Sequence, residues 1–333
     1  MRFGPVAPSD AVGAILAHSV VLRSGRLRKG RILTSGDCAA LGEEGHAVVW
    51  VAVPEAADVA EDEAASRLVG ALVPSPATSG LRVGEAATGR ANIHADRPGV
   101  LCYETGAVHD LNGVDPGVTF AALPPFSRVA AAQMVGTVKI IPYAVTEASV
   151  QAASVAAARA VLTVRAAVIR RAVLLETTVP GLDYGPKGER AVRDRVESLG
   201  ARMEPVVRVA HAVDDLAAAI GRTDAELVLI LTASATSDLH DVAPEAVRRA
   251  GGHVTRFGMP VDPGNLLFLG EHRGRPVVGL PGCARSPAVN GADWVIDRLL
   301  TGLPCGDREI AAMGVGGLLK ETSVRGRPRE TED

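Results

Sequence analysis

Aromatic side chains are scarce in this sequence. Phe, Trp and Tyr make up 3% of its 333 residues, whereas hydrophobic residues together make up 47%, so the cores must be built from Ala, Val and Leu. Proteins that bind unpaired nucleic-acid bases stack them on aromatic rings. A net charge of −3 also provides no general attraction for polyanions. We therefore expect no nucleic-acid partner, although the plentiful arginines still allow a local anion site.

Cysteine pairs and uninterrupted apolar runs are also lacking. The four cysteines are far apart and form no CxxC pair, which argues against a zinc site or a disulfide framework and favours a reducing cytoplasm. The first residues lack the apolar segment of a signal peptide. The stretch closest to a membrane span, 152–175, is interrupted by four arginines. We expect a cytoplasmic protein without a membrane partner.

The pattern of residues changes along the chain, and a chain of this length is expected to form two or three domains. Thr34 and Asp37 provide the N-cap chemistry of a helix predicted over 38–43. A stretch rich in Pro, Ser and Gly at 74–80 predicts a linker or loop. The predicted parts are a small α+β module (1–75), a small β-rich module (80–146), a connecting helix (147–167), an α/β domain (168–312) and a flexible tail (313–333).

Predicted strands recur in the C-terminal half, at 172–175, 203–209, 227–231 and 276–280. The loops that follow them lead into predicted helices, which is the pattern of βα units in an open parallel sheet. A further strand at 266–270 is expected to pair with the last of these strands. The predicted fold class is therefore α/β, with a mostly parallel sheet in the C-terminal half preceded by smaller α+β and β-rich modules.

Two of the predicted strands end in loops of small residues. Residues 232–237 read TASATS, and residues 281–287 read PGCARSP. Ligands of open α/β sheets bind beyond the carboxyl ends of the strands, where backbone N–H groups can hold an anion. Gly282 would let the backbone approach that anion, and Arg285 could pair with a phosphate. The alternative is a tight turn with a solvated arginine.

The loop after the first strand contains Thr177, in the usual place for a nucleotide phosphate. It has neither a GxGxxG nor a GxxxxGK(S/T) motif, so the Rossmann and P-loop interpretations both fail. The scattered histidines are interpreted as ordinary surface or loop residues: His211, His240 and His253.

Three acidic residues stand near the starts of predicted helices. Asp241 precedes the helix after the third strand, where it either caps the helix or orients a ligand. Asp214 and Asp215 follow the second strand, and most such pairs are N-cap and first-turn residues. If the second and third strands are neighbours, the acids would converge near one ligand, and Asp214 and Asp241 would share a Mg²⁺ ion.

Several motifs of the C-terminal half occur in the order in which one family has them. DVAPEA at 241–246 resembles the DVTPEA that follows the family's TGG loop, and VDD at 213–215 resembles its acidic pair after the second strand. GMPVDPGN at 258–265, followed by GLPG at 279–282, resembles KPGKP followed by GLPGNP. The family is the molybdopterin-binding domain shared by molybdopterin adenylyltransferases, molybdopterin molybdotransferases, gephyrin and the competence-damage proteins.

The resemblance implies a three-layer α/β/α domain that holds molybdopterin or its nucleotide form at the strand ends. The implied activity is adenylyl transfer or molybdate insertion, with Mg²⁺ as an accessory ion. Other cofactor-biosynthesis proteins or molybdoenzymes would be partners, and the relatives assemble as homo-oligomers. The catalytic or orienting acids would be Asp241, Asp214 and Asp215. The ligand-binding residues would be Thr177, Thr232, Ser234, Thr236, Ser237, Gly282, Arg285 and Ser286.

Two departures from the family pattern keep alternatives open. Ala233 and Ser234 stand where the family has glycines and add Cβ atoms where a phosphate would approach. Cys283 and Ala284 stand where it has Asn and Pro. One alternative is a non-catalytic carrier or chaperone of the molybdenum cofactor. Another is a nucleotide pyrophosphatase of the competence-damage type, acting on pyridine nucleotides or ADP-ribose.

Overall fold

The polypeptide folds as two units that follow one another at Val164 and Arg165. This computed structural model describes residues 1–181 and 185–319. The N-terminal unit comprises Met1–Arg97 and Leu101–Val164, and the C-terminal unit comprises Pro98–Val100 and the chain from Arg165 onwards. From residue 320 onwards, the predicted flexible tail (313–333) lies outside the described residues.

The N-terminal unit begins with a small antiparallel sheet. Its middle strand, Val49–Val53, pairs with Arg2–Val6 on one side and Ile15–Leu16 on the other. Buried Leu and Val residues from the first 51 positions form a hydrophobic cluster of their own. The other elements of this part are the 3-10 helix Pro8–Asp10, the hairpin of Val20–Leu22 and Gly25–Leu27, and the helix Ser35–Glu43.

Helix Ser35–Glu43 begins with a capping box. The Thr34 side chain accepts the Asp37 N–H, and the Asp37 side chain accepts the Thr34 N–H. Two of the otherwise unpaired N–H groups at the helix start are thereby satisfied. The predicted N-cap chemistry is confirmed, and the helix starts three residues earlier than the predicted range.

The remainder of this unit is built around an antiparallel sheet with three longer helices. One hydrophobic cluster, running from Val59 to Val164, joins them. In order across the sheet, the strands are Val118–Ala122, Met134–Ile140, Arg90–Ala95 and Leu81–Val83. The helices are Glu61–Leu72, Thr105–Asn112 and Glu147–Ala160. The shorter elements are Asp58–Ala60, Pro76–Ser79, Arg128–Val129 and Ala144–Thr146. Strands Gly99–Cys102 and Thr163–Arg165 each include residues of both units.

Helix Glu147–Ala160 occupies most of the range predicted as a connector. Its residues Ala153 and Ala157 are fully buried in the Val59–Val164 cluster. Residues four positions apart lie on one helix face, and alanines there let the helix pack closely. The two clusters of this unit divide between residues 53 and 59, whereas the predicted module limits fall at 75, 80 and 146. The predicted limits stay predictions.

The C-terminal unit contains a seven-stranded sheet that is mostly parallel. Strand Arg171–Thr178 pairs in parallel with Leu227–Leu231, which pairs in parallel with Arg275–Leu280. Two antiparallel strands, Phe268–His272 and His253–Phe257, complete that side of the sheet. On the other side, Arg202–Met203 and Val207–Ala210 both pair in parallel with Arg171–Thr178. The predicted α/β class is confirmed.

Strand Leu227–Leu231 shows why an unbroken apolar run lies at the centre of this sheet. Its odd-numbered residues pack in one hydrophobic cluster and its even-numbered residues in another. Burial of each such side chain contributes about 1.5 to 3 kcal/mol. Residues of helices Lys187–Glu197 and Gly291–Leu300 belong to the first cluster, as does Ile310 of Asp307–Ala312. Residues of helices Val213–Arg222 and Val242–Arg249 belong to the second.

Two strand predictions differ from the structure. The predicted strand at 203–209 is divided into Arg202–Met203 and Val207–Ala210. Pro205 lies between them and has no N–H to donate to a neighbouring strand. Strand His253–Phe257 was not predicted, because its residues are only half-buried or exposed and form no apolar run. Within the described ranges, none of the helices combines the length and apolar character needed to cross a membrane.

Candidate ligand site at the strand ends

Thr177 joins the carboxyl ends of three parallel strands. Its side-chain oxygen accepts the N–H of Ala233, at 2.9 Å, and lies 2.9 Å from Nδ1 of His211. The His211 N–H in turn donates to the carbonyl of Thr178, at 2.9 Å. Thr177 is 1% exposed, so it is part of the scaffold beneath the site rather than of its surface. The predicted ligand contact through Thr177 stays a prediction.

The loop 232–237 carries hydroxyl and N–H groups beyond strand Leu227–Leu231. The Thr232 hydroxyl donates to the Ser234 carbonyl, at 2.6 Å, and lies 3.5 Å from the Thr236 hydroxyl. Ser234 and Ser237 are exposed, whereas Thr236 is buried. Within the described part of the chain, the N–H groups of residues 234–236 make no hydrogen bond. Consecutive unpaired N–H groups of this kind suit an anion.

Asp241 closes this loop as the N-cap of helix Val242–Arg249. One carboxylate oxygen accepts the Val242 N–H, at 2.6 Å, and the other accepts the Ser237 N–H, at 3.1 Å. The sequence left two roles for Asp241, helix capping and ligand orientation, and these contacts are those of a helix cap. A catalytic role of Asp241 stays a prediction, and such a role would require the carboxylate to release one of these N–H groups.

Asp214 and Asp215 lie in the first turn of helix Val213–Arg222, and both are exposed. Asp214 accepts a hydrogen bond from Arg249 at 2.8 Å. In residues 1–181 and 185–319, His, Cys, Asp and Glu side chains form no group of three that could hold a metal ion. Because Asp214 is paired with a guanidinium and Asp241 with backbone amides, these donors do not fit a Mg²⁺ ion. The described residues therefore provide no set of donors for the metal ion that was predicted at Asp214 and Asp241.

Arg285 is paired with a carboxylate and is therefore not an isolated cation. Its Nη1 donates to Glu176 at 3.0 Å, and its Nη2 donates to the Thr232 carbonyl at 3.0 Å. The other Glu176 oxygen accepts Nε of Arg208 at 3.1 Å. Glu176 is 5% exposed, and a carboxylate so buried requires such partners. Arg285 therefore ties the 281–286 turn to two strand ends, and its predicted phosphate contact stays a prediction.

The ion pairs continue from Glu176 to helix Lys187–Glu197. Arg208 also donates to Glu189 at 2.9 Å, and Arg193 donates to the other Glu189 oxygen at 3.1 Å. Burial acts to raise the pKa of Glu189, but the hydrogen bonds from Arg193 and Arg208 outweigh it and lower that pKa. The same bonds to Glu189 raise the pKa of both arginines. We call Arg285, Glu176, Arg208, Glu189 and Arg193 the ion-pair ladder.

The turn 281–288 is held from beneath by Arg195. This guanidinium is 4% exposed and pairs with Asp293 at 2.9 Å. It also donates to three carbonyls of the turn, those of Ala284, Ser286 and Ala288, at 2.7 to 3.0 Å.

On the outer side of the turn, Gly282 is exposed, and a Cβ atom there would meet nothing within 4 Å. The Ser286 hydroxyl accepts the Ala288 N–H at 3.2 Å. The predicted ligand-binding residues Gly282 and Ser286 thus lie on a rigid turn with open space beside Gly282.

Four residues of this region were not found from the sequence. Glu176 carried a visible signal, since it is a carboxylate inside an apolar strand. Arg195 faces inward on an amphipathic helix, which is a weaker signal. Arg208 and His211 had none, and the interpretation of His211 as an ordinary loop residue misses its contact with Thr177.

Comparisons with known proteins give a family match over part of the chain and matches to distant solved structures. Residues 5–53 match a domain of unknown function (DUF8806), and no curated protein matches the chain. A molybdopterin biosynthesis MoeA protein from Pyrococcus horikosii has 12% identity and a TM-score of 0.30, over 90% of this chain and 75% of that one. A molybdenum cofactor biosynthesis protein from Pyrococcus furiosus has 13% identity and a TM-score of 0.23, over 91% of this chain and 65% of that one.

Proposed function

We propose that the C-terminal unit binds molybdopterin, or its nucleotide form, and acts in molybdenum cofactor biosynthesis. The observation that carries the proposal is the loop 232–237, where unpaired N–H groups and hydroxyls lie at the carboxyl end of a central parallel strand. The motif DVAPEA follows this loop directly, as its counterpart follows the phosphate-binding loop in the family that the chain resembles. The proposed domain spans 168–312 with a three-layer α/β/α arrangement.

In this proposal the pterin phosphate lies against the N–H groups of residues 234–236. The hydroxyls of Ser234, Thr236 and Ser237 supply further hydrogen bonds. The Thr232 hydroxyl joins them if it releases the Ser234 carbonyl. Gly282 and Ser286 form the opposite wall, where the absence of a side chain at Gly282 leaves room for the ligand. Arg285 sets the distance between the two walls through its bonds to Glu176 and Thr232. Phosphate recognition then depends mainly on neutral donors.

One alternative, a non-catalytic carrier of the finished cofactor, is favoured by a specific observation. Both oxygens of Asp241 are engaged by backbone N–H groups, so this acid is not available as a base or a metal ligand without rearrangement. A carrier would hold the cofactor for a molybdoenzyme or another biosynthetic protein. An enzyme would catalyse adenylyl transfer or molybdate insertion, mostly by positioning the reactants, and would use Asp241, Asp214 and Asp215.

The proposal is tested on the purified full chain. Any bound pterin is oxidised to its fluorescent form, and the apo-protein is titrated with molybdopterin by calorimetry. We expect a dissociation constant in the micromolar range or below. Gly282→Asp places a negative charge in the wall opposite the loop and should weaken binding, whereas the neutral control Gly282→Asn should weaken it less. Absence of pterin together with absence of binding would contradict the proposal.

Assays of the wild type then separate the enzyme from the carrier. Turnover of molybdopterin with ATP and Mg²⁺, or with molybdate, that is lost in Asp241→Asn while binding is retained would identify an enzyme. Tight binding without turnover would identify a carrier. Hydrolysis of ADP-ribose or of a pyridine nucleotide, without molybdopterin binding, would identify the pyrophosphatase alternative.

A further inference from the structure

The Thr177–His211 contact joins a buried hydroxyl to Nδ1 of an imidazole. The Thr177 oxygen already accepts the Ala233 N–H, and Thr177 is 1% exposed, so its own proton needs an acceptor within the protein. Nδ1 of His211 lies at 2.9 Å and can accept it. A neutral imidazole that accepts at Nδ1 carries its proton on Nε2. A Thr177 hydroxyl that donates to Nδ1 places the proton of a neutral His211 on Nε2.

The Nε2 atom of His211 belongs to a half-buried side chain at the strand ends. It makes no hydrogen bond with the described residues. Among the described residues, Nε2 of His272 is the buried side-chain atom that lacks a hydrogen-bond partner. Nε2 of His211 is therefore not fully buried. Thr177 links the imidazole directly to Ala233, the residue before the unpaired N–H groups at 234–236. The imidazole N–H and the loop N–H groups thus form a set of neutral donors joined by one buried hydroxyl.

We propose that His211 is a further ligand-contacting residue of this site, donating from Nε2 to a phosphate oxygen of the ligand. Thr177, assigned above to ligand binding, is in this view a positioning residue that acts through His211 and Ala233. The inference rests on the proposed function for the identity of the ligand. Its chemical basis, a fixed neutral donor beside an anion-binding loop, is independent of whether that ligand is a pterin.

The first part of the test is the tautomer of His211. The full chain is labelled with ¹⁵N, and long-range correlation spectra recorded across a range of pH are assigned with His211→Gln. We expect a single tautomer with the proton on Nε2. Thr177→Val should remove the hydrogen-bond signature at Nδ1, and Thr177→Ser should restore it. A wild-type proton on Nδ1, or an unordered mixture of tautomers, would overturn the inference even if the valine variant failed to fold.

The second part uses inorganic phosphate as the probe. Phosphate is expected to shift the Nε2 resonance of His211 together with the amide resonances of residues 234–236. His211→Ala should bind phosphate about fivefold to tenfold more weakly, the factor for one hydrogen bond. His211→Gln, whose amide can donate from a similar position, should retain most of the affinity. Thr178→Val is a matched control, because the Thr178 hydroxyl donates to the Val209 carbonyl and not to His211.

The possible results separate this inference from the proposed function. Equal phosphate affinity in the wild type and His211→Ala, or no phosphate response in the wild type, would overturn the role of His211. A phosphate response that depends on His211, in a protein that does not bind molybdopterin, would support the inference and contradict the pterin assignment. Binding of molybdopterin that is weakened in His211→Ala and retained in His211→Gln would support both.

Discussion

The two loops at the strand ends look alike in sequence and differ in how their backbones are satisfied. Both 232–237 and 281–287 follow buried parallel strands and consist largely of small residues. The first leaves three consecutive N–H groups without a partner in the described chain. The second is held by Arg195, which donates to the carbonyls of Ala284, Ser286 and Ala288. Its own Arg285 donates to Glu176 and to the Thr232 carbonyl. Composition alone thus does not distinguish a loop with unpaired N–H groups from a turn that arginine side chains hold in place.

The difference separates stability from binding. Groups that are already paired within the protein contribute to the folded state, whereas unpaired donors at the surface exchange water for a ligand at little cost to the fold. We therefore expect substitutions beneath the 281–288 turn to act mainly on stability. Substitutions in 232–237 should act mainly on ligand affinity.

The largest expected effect on stability comes from Arg195→Met. The change leaves Asp293 and three carbonyls of the turn without their donor. Removal of one partner of a buried pair typically costs about 3 to 5 kcal/mol. Urea unfolding should show a loss of that order, and Arg190→Met, an exposed arginine on the same helix, should change the free energy of unfolding little. Equal losses in both variants would show that the turn does not depend on Arg195.

A smaller effect is expected from Glu176→Gln. The variant leaves the guanidinium groups of Arg285 and Arg208 without their shared anion and should cost about 1 to 3 kcal/mol. Added phosphate should restore part of this stability in the variant, because it can replace the missing carboxylate. The matched control is Glu197→Gln, which removes a surface partner of Arg193. Equal recovery in Glu176→Gln and Glu197→Gln would contradict the expectation that phosphate replaces the missing carboxylate of Glu176.

The smallest expected effect is on the stability of the fold at low pH. The pKa of Glu189 is lowered in the folded state, so its contribution to stability is present above its unfolded value of about 4.3 and is lost as pH falls through the folded value. Glu189→Gln should therefore flatten the pH dependence of unfolding in this acidic range. Asp194→Asn, at an exposed position on the same helix, should leave the dependence unchanged. Parallel pH curves for the wild type and Glu189→Gln would contradict the assigned ladder contacts.

The sequence indicates most of the C-terminal sheet because most of its strands are apolar runs that can be recognised locally. An apolar run such as 227–231 is visible without knowledge of its neighbours, and Thr34 with Asp37 reveals a helix start from four residues. Strand His253–Phe257 is not predicted from the sequence, because it is half-exposed at an edge of the sheet and has no apolar run. Pro205 divides a strand that the apolar pattern alone would leave whole.

The site is less visible because its contacts join distant positions. Glu176 and Arg285 are separated by 109 residues, so neither position predicts that the other will neutralise it. The same holds for Thr177 and His211, which are 34 residues apart. Residue types at the strand ends predict where a ligand would bind. Which of those residues are already paired follows only from the folded chain.

The most direct test of the central claim is a calorimetric titration of Ala235→Asp and Ala235→Asn with molybdopterin. Ala235 is exposed in the middle of the three unpaired N–H groups, and the two side chains have nearly the same size but differ by one negative charge. If the loop holds the pterin phosphate, the aspartate variant should lose binding, whereas the asparagine variant should stay within a few-fold of the wild type. Equal affinity in the two variants would contradict the assignment of the phosphate to this loop.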